Sequence, residues 1–195
     1  LVMTAGATES INLALGSVDG HVVIPAIEHH AVLAAARLHD HTIVTVDERG
    51  LVLLDELIAA IRPDTQLLSV ALANNELGTI QPIRDIAQAI KKIRDERLRG
   101  GNTTPLYLHS DASQGVGQLD INVARMGIDM LTLNAGKIYG PKQVGLLWAA
   151  SHVRLNPSVV GGGQERGLRS GTENVPGVIG FVTASSYSVM TYSML

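Results

Sequence analysis

The sequence predicts an α/β domain built on a mostly parallel sheet, and three observations carry that expectation. Short apolar runs rich in leucine and β-branched residues alternate with helical patterns along the chain. The runs are apolar throughout, as strands buried on both faces of a parallel sheet are. Polar residues capable of chemistry stand directly after several runs, where the loops of such a sheet gather at one end. The chain has 195 residues, 46% of them hydrophobic, ample for one sizeable core.

Taken in order, Thr4–Ser10 reads TAGATES and leads into INLALG. Its small residues let the backbone come close to a ligand. Thr8, at the start of a helix, offers a hydroxyl and free N–H groups for an anion, or serves as an ordinary cap. Strands are expected at His21–Ile27, Thr42–Val46, Gln66–Ala73, Leu106–Ala112, Ile128–Ala135 and Val144–Ala150. Between them, residues 28–39, 54–62 and 82–99 read as helices. The last of these carries Ile83, Ile86, Ala87, Ile90 and Ile93 on one face, with Pro82 in its first turn and Gly100-Gly101 beyond its end. A short turn joins the last two strands, which suggests an antiparallel pair at the sheet's edge. The polar tail from Thr183 has no clear periodicity.

Composition removes several function classes. A formal charge of −3 gives no electrostatic case for a nucleic-acid partner, and 3% aromatic residues make a base-stacking platform a poor fit. No apolar run approaches the roughly 20 residues of a membrane span. There are no cysteines, so this chain supplies no disulfide, thiolate metal ligand or cysteine nucleophile, which fits a cytoplasmic protein. The pairs His39/His41 and His109/Asp111 and the adjacent His29-His30 lack further ligands at recognisable spacing, so no metal site is expected. Gly162 and Gly167 stand at phosphate-loop spacing, but Leu168 occupies the lysine position. Asp120 likewise breaks a dinucleotide fingerprint in GVGQLD.

Lys137 is different. It lies in a glycine-containing turn between two apolar runs, where desolvation favours the neutral amine that attacks an aldehyde. The aldehyde cofactor pyridoxal phosphate needs a lysine, a carboxylate for its pyridine nitrogen and an anion pocket. Lys137, Asp111 and Ala7-Thr8 supply all three at expected strand ends.

Six blocks in order, AGATESINLAL, IEHHAVLAAARL, ANNELGTIQPI, HSDASQGVGQLDI, GIDMLTLNAGKIYGPKQVG and GGGQERGLRSGTENVPGVIG, are similar to the cysteine desulfurases and selenocysteine lyases. These are class V, fold-type I, pyridoxal-phosphate-dependent enzymes, and the resemblance is to their large domain. It implies that Lys137, rather than Lys142, forms the Schiff base, that Asp111 pairs with the ring nitrogen, and that Gln114 bonds the phenolic oxygen. It implies that His29 stacks on the ring and shuttles protons, and that Asn75 sits near the ring oxygen and substrate carboxylate. Ala7, Thr8 and Asn134 are expected at the phosphate, with Thr172 reaching the phosphate of a partner subunit in a homodimer.

The resemblance further implies that cysteine is converted to alanine. Its sulfur would pass to an enzyme cysteine and on to an acceptor protein for iron–sulfur cluster or thio-cofactor assembly. Residues 1–181 are expected to form the large domain, shortened at its amino terminus, with 182–195 a tail and the carboxyl-terminal small domain outside this chain. A fragment without the catalytic cysteine is therefore expected not to complete desulfuration by itself. Another class V transamination or β-elimination, or a non-catalytic subunit, are the alternatives. One departure concerns the cofactor directly: the family's serine–any–histidine–lysine is here Asn134-Ala135-Gly136-Lys137, so no imidazole precedes the lysine.

Overall fold

A computed structural model describes residues 1–192, with side chains assigned to residue 187. Seven strands form one sheet: β1 (Val2–Thr4), β2 (His21–Pro25), β3 (His41–Val44), β4 (Thr65–Ser69), β5 (Tyr107–Asp111), β6 (Met130–Asn134) and β7 (Gly145–Ala149). Their spatial order is β1-β7-β6-β5-β4-β2-β3. The pairs β2–β3, β2–β4, β4–β5 and β5–β6 are parallel, whereas β7 runs antiparallel to both β6 and β1. The expected antiparallel partner of β6 is present but is not the edge. The three residues of β1 cover it, too short a run to show a pattern in the sequence.

Side-chain alternation sorts the strands between two cores. Val22, Ile24, Leu67, Met130 and Leu147 face α1 (Ala7–Leu15) and α2 (His30–Ala36), packing on Ile11, Leu15, Val32 and Ala36. Val23, Leu68, Leu108 and Leu131 face the other way, toward α3 (Leu54–Ala59), α4 (Ile83–Arg99) and the short α5 (Val123–Met126). On α4 the expected face is the buried one: Ile83, Ile86 and Ile90 are inside, with Ala87 and Ile93 packed alongside. Helices therefore cover both faces, which is why the central strands carry almost no polar alternation.

The central strands also carry a polar tie. His109 on β5 is fully buried, its Nδ1 2.8 Å from Ser69 Oγ on β4 and its Nε2 2.9 Å from Thr132 Oγ1 on β6. Burial disfavours the charged ring and pushes its pKa down to about 3. At the opposite end of the strands, buried Asp129 accepts from Arg94 of α4, from the Leu108 N–H at 2.7 Å, and lies 3.0 Å from His152 Nε2.

The polar tail is helical where it is described. The last helix, α6 (Val175–Tyr192), runs through it. Its hydroxyls bond back one turn, Thr183 to the Ile179 carbonyl and Ser185 to that of Phe181, both at 2.9 Å. Such back-bonding satisfies serine and threonine within a helix and hides them from a reading based on apolar period. Residues 193–195 lie outside the described residues, among which no helix is long and apolar enough to cross a membrane.

Two outcomes follow for stability. Asp129→Ala leaves Arg94 and the Leu108 N–H without their buried acceptor and costs about 3–5 kcal/mol, measured by urea unfolding. The second concerns His109, whose folded pKa is depressed below its unfolded value of about 6.5. The folded protein binds fewer protons in that window, so stability present above about pH 6.5 is lost as pH falls toward 3. His109→Gln flattens that acid limb in urea midpoints followed against pH.

Candidate active site

The carboxyl ends of β2, β4, β5 and β6 open into a cleft of about 260 Å³. Its walls bring together Ala7, Thr8, His29, Asn75, Asp111, Gln114, Asn134 and Lys137, together with Ile27, Ala71, Ala73, Asn74 and Ser113. All but one of the sequence-expected site residues meet here. The exception is Thr172, which is exposed and outside the cleft lining, after the loop 157–171. A larger depression of about 820 Å³ between α6 and residues 138–141 has no charged residue among the described residues of its lining.

Gly6 shapes the amino-terminal wall. It caps α1 at φ 135, a conformation open to glycine, and no side chain caps the helix. Gly145 permits the turn's approach to β7, since a Cβ there would stand 2.6 Å from the Gly6 Cα. The first helical amide to bond within α1 is that of Ser10, to the Gly6 carbonyl at 3.1 Å, so the N–H groups of Ala7 and Thr8 are available to an anion. Thr8 is thus not a cap, and its side chain remains exposed. Glu9 in this first turn would repel an anion, but Arg169 pairs with it, Nε to Oε1 at 2.8 Å. This ion pair also ties loop 157–171 to α1, and sequence spacing carries no trace of it.

His29 is the N-cap of α2. Its Nδ1 accepts from the Ala31 N–H at 3.1 Å, so the neutral ring carries its proton on Nε2. That bond moves the start of the helix from the expected residue 28 to His30. Asn74 accepts from the amides of Glu76 and Leu77, each at 2.8 Å, and donates to the Ile27 carbonyl at 2.9 Å. Asn74 therefore builds the turn, and its neighbour Asn75 is left exposed at the cleft.

Asp111 ends β5 at 8% exposure, one strand repeat above His109 on the same face. Its Oδ1 accepts from the Ser113 N–H at 2.9 Å. Burial raises its pKa, while the Ser113 N–H bond and the nearby His29 and Lys137 act in the opposite direction. A cation against this carboxylate would restore the charge balance that burial disturbs. Ser113, whose hydroxyl is buried without a partner, was missed in the sequence; its place two residues after the strand-end aspartate is the available signal.

Lys137 closes the short 3-10 turn Ala135–Lys137. Asn134 caps this turn through Oδ1, which accepts from the Gly136 N–H at 3.1 Å and leaves the amide NH₂ group to donate. Below, Ala135 and Ile138 pack with Val144 and with Phe181 of α6. Lys137 itself is exposed, so these residues do not form the apolar enclosure expected around its amine. Gly136 has open surroundings: a Cβ there would meet only Asn134 Oδ1, at 3.5 Å.

A lysine, a buried carboxylate and unpaired helix-start amides around one small cleft match the functional groups of pyridoxal phosphate: aldehyde, basic ring nitrogen and phosphate. Known proteins agree. The family described as aminotransferase class-V matches residues 1–194. A cysteine desulfurase of Archaeoglobus fulgidus, IscS 1, is 43% identical over 95% of this chain and 48% of its own length. The mitochondrial cysteine desulfurase of Saccharomyces cerevisiae is 42% identical over 95% of this chain and 38% of its own. Among solved structures, a NifS-like protein superposes with a TM-score of 0.89 at 36% identity, over 98% of this chain and 53% of that one. SspA in complex with cysteine gives 0.84 at 37%, over 95% and 54%. The chain spans about half the length, or less, of the curated relatives it matches. It belongs to the class V aminotransferase family of pyridoxal-phosphate-dependent proteins, in the neighbourhood of the cysteine desulfurases.

Proposed function

We propose that these 195 residues are the cofactor-binding part of a pyridoxal-phosphate-dependent cysteine desulfurase. The observation that carries this reading is the meeting of Lys137 and buried Asp111 across a cleft whose third wall is the uncapped start of α1. When bound, pyridoxal phosphate supplies an electron sink for bond breaking in an amino acid. Asp111 would hold the proton of the ring nitrogen and sustain that sink. Lys137 would hold the cofactor through its amine and would serve to move protons at the substrate carbon. His29 would face the ring, with Nε2 placed to pass a proton. Gln114 and Asn75 orient the ring oxygen and the substrate carboxylate. Ala7, Thr8 and Asn134 hold the phosphate.

Cysteine as substrate is supported by the desulfurase relatives and by the SspA complex with cysteine. Sulfur leaves to a cysteine outside these residues, which contain none, and alanine is the other product. An acceptor protein for iron–sulfur or thio-cofactor assembly, a cytoplasmic setting and a small domain beyond the large domain of residues 1–181 belong to the same reading. So does a homodimer: Thr172 is exposed outside its own cleft, where it is free to serve a partner's phosphate. A second reading is a class V transaminase or β-eliminating lyase, whose chemistry needs no thiol.

Added pyridoxal phosphate should give wild type a protein-bound visible absorbance band that Lys137→Ala lacks; no band at saturating cofactor sinks the reading. Gly136→His has room for its ring and adds a donor near the phosphate. It should tighten cofactor binding about 10–100-fold, the equivalent of about 1.5–3 kcal/mol, in a fluorescence titration. Analysis of the products formed from L-cysteine by the assembled enzyme separates the two chemistries: alanine with persulfide marks desulfuration, pyruvate marks elimination.

A further inference from the structure

One buried acid has no part in the scheme above. Glu28 lies on the turn between β2 and α2, immediately before His29, and is 6% exposed. Its Oε1 accepts from the Ala71 N–H at 2.7 Å, and Ala71 lines the cleft. Its Oε2 is buried with no hydrogen-bond partner. A carboxylate with a bare buried oxygen is much costlier than the neutral acid.

The titratable groups on the surrounding elements are His29 and His30 at the start of α2, His109 and Asp111 on β5, and Lys137 on its turn. His109 is held neutral between Ser69 and Thr132. Of the others, Asp111 acts directly on Glu28, and its negative charge opposes ionisation. The two carboxyls are not equivalent. Asp111 receives a hydrogen bond from the Ser113 N–H and lies in the positive field of His29 and Lys137. Glu28 has one backbone donor and a negative neighbour, and burial, the dominant influence, pushes its pKa up to about 8. Where two carboxyls share a low-dielectric site, the proton settles on the one whose anion is less well supported.

We propose that Glu28 is a positioning residue of the cleft: a carboxyl kept neutral, which leaves Asp111 as the buried anion of the described cleft lining and ties the segment after β4 to the turn that presents His29. The proposal rests on the reading of the cleft as a pyridoxal phosphate site. While Glu28 keeps its proton, the hydrogen bond to Ala71 holds the wall in place and adds no repulsion toward an anionic cofactor. Ionisation brings a second negative charge beside Asp111 and weakens the site.

Glu28→Gln, which preserves shape and cannot ionise, tests this through stability and cofactor affinity. The folded pKa lies above the unfolded value, so the folded protein binds the extra proton between them. Wild type therefore loses stability as pH rises toward about 8 and shows no further loss from this group beyond it. The gap in thermal midpoint between Glu28→Gln and wild type should widen over that range and then stay constant. At about pH 6.5 the glutamine variant should bind pyridoxal phosphate within about threefold of wild type, and only wild type should weaken, by at least about threefold, through a step near pH 8. Glu28→Ala, which strips the acceptor from Ala71, should bind weakly at every pH, and glutamine should rescue that loss. Parallel stability curves for wild type and Glu28→Gln overturn the proposal. So does a glutamine variant that binds as poorly as the alanine variant at about pH 6.5. Pyridoxal phosphate that binds none of the three proteins overturns the reading of the cleft, while the stability curves still decide whether Glu28 carries the proton.

Discussion

A carboxylate buried at the end of a central strand is a costly thing for a protein to hold, and much of this molecule is arranged around Asp111. Its strand is flanked by β4 and β6, closed over on both faces by helices, and tied across by His109. The Ser113 amide, His29 and Lys137 all support the charge, and burial still opposes it. A neutral or anionic ligand would leave that imbalance in place. A ligand that brings a proton to the carboxylate resolves it, which is the role a basic ring nitrogen plays.

Around that carboxylate, the site is assembled from strand ends rather than from one motif. β2 delivers the turn of Glu28 and His29, β4 that of Ala71 to Asn75, β5 delivers Asp111 to Gln114, and β6 delivers Asn134 to Lys137. The start of α1 reaches the same place because Gly145 lets the Gly6 turn lie against β7. Each contribution is rigid for a local reason: an Asx-type contact at Asp111, a cap at His29 and at Asn134, a turn built by Asn74. These contacts use the residue types that sequence reasoning treats as ordinary turn formers. At His29, Asp111 and Asn134 the two uses coexist, since one polar atom of the side chain holds the backbone while the residue lines the cleft.

The helical face of α4 and the buried strands were legible because burial on a helix or a covered sheet imposes a period on apolar residues. The site was legible to the extent that its groups follow strand ends: Asp111, Gln114, Asn75 and Lys137 were all recognised from that placement together with the family's blocks. Strand β1 was not, because three residues carry no period. Nor was the helical state of the tail, because Thr183 and Ser185 satisfy themselves by bonding to their own helix. Glu28 reads in the sequence as a helix-start residue; only the fold shows one of its oxygens spent on Ala71 and the other enclosed without a partner.

By itself the sequence determined the order of the longer strands and of the helices between them, the apolar faces and the residue types at each strand end, since these are local properties set by spacing along the chain. The tertiary structure decided which of those residues meet. It capped β7 with β1, paired Glu9 with Arg169 across 160 positions, left Lys137 exposed, and set Glu28 within the field of Asp111. Burial and charge are properties of a neighbourhood, and neighbourhoods between distant residues exist only once the chain has folded.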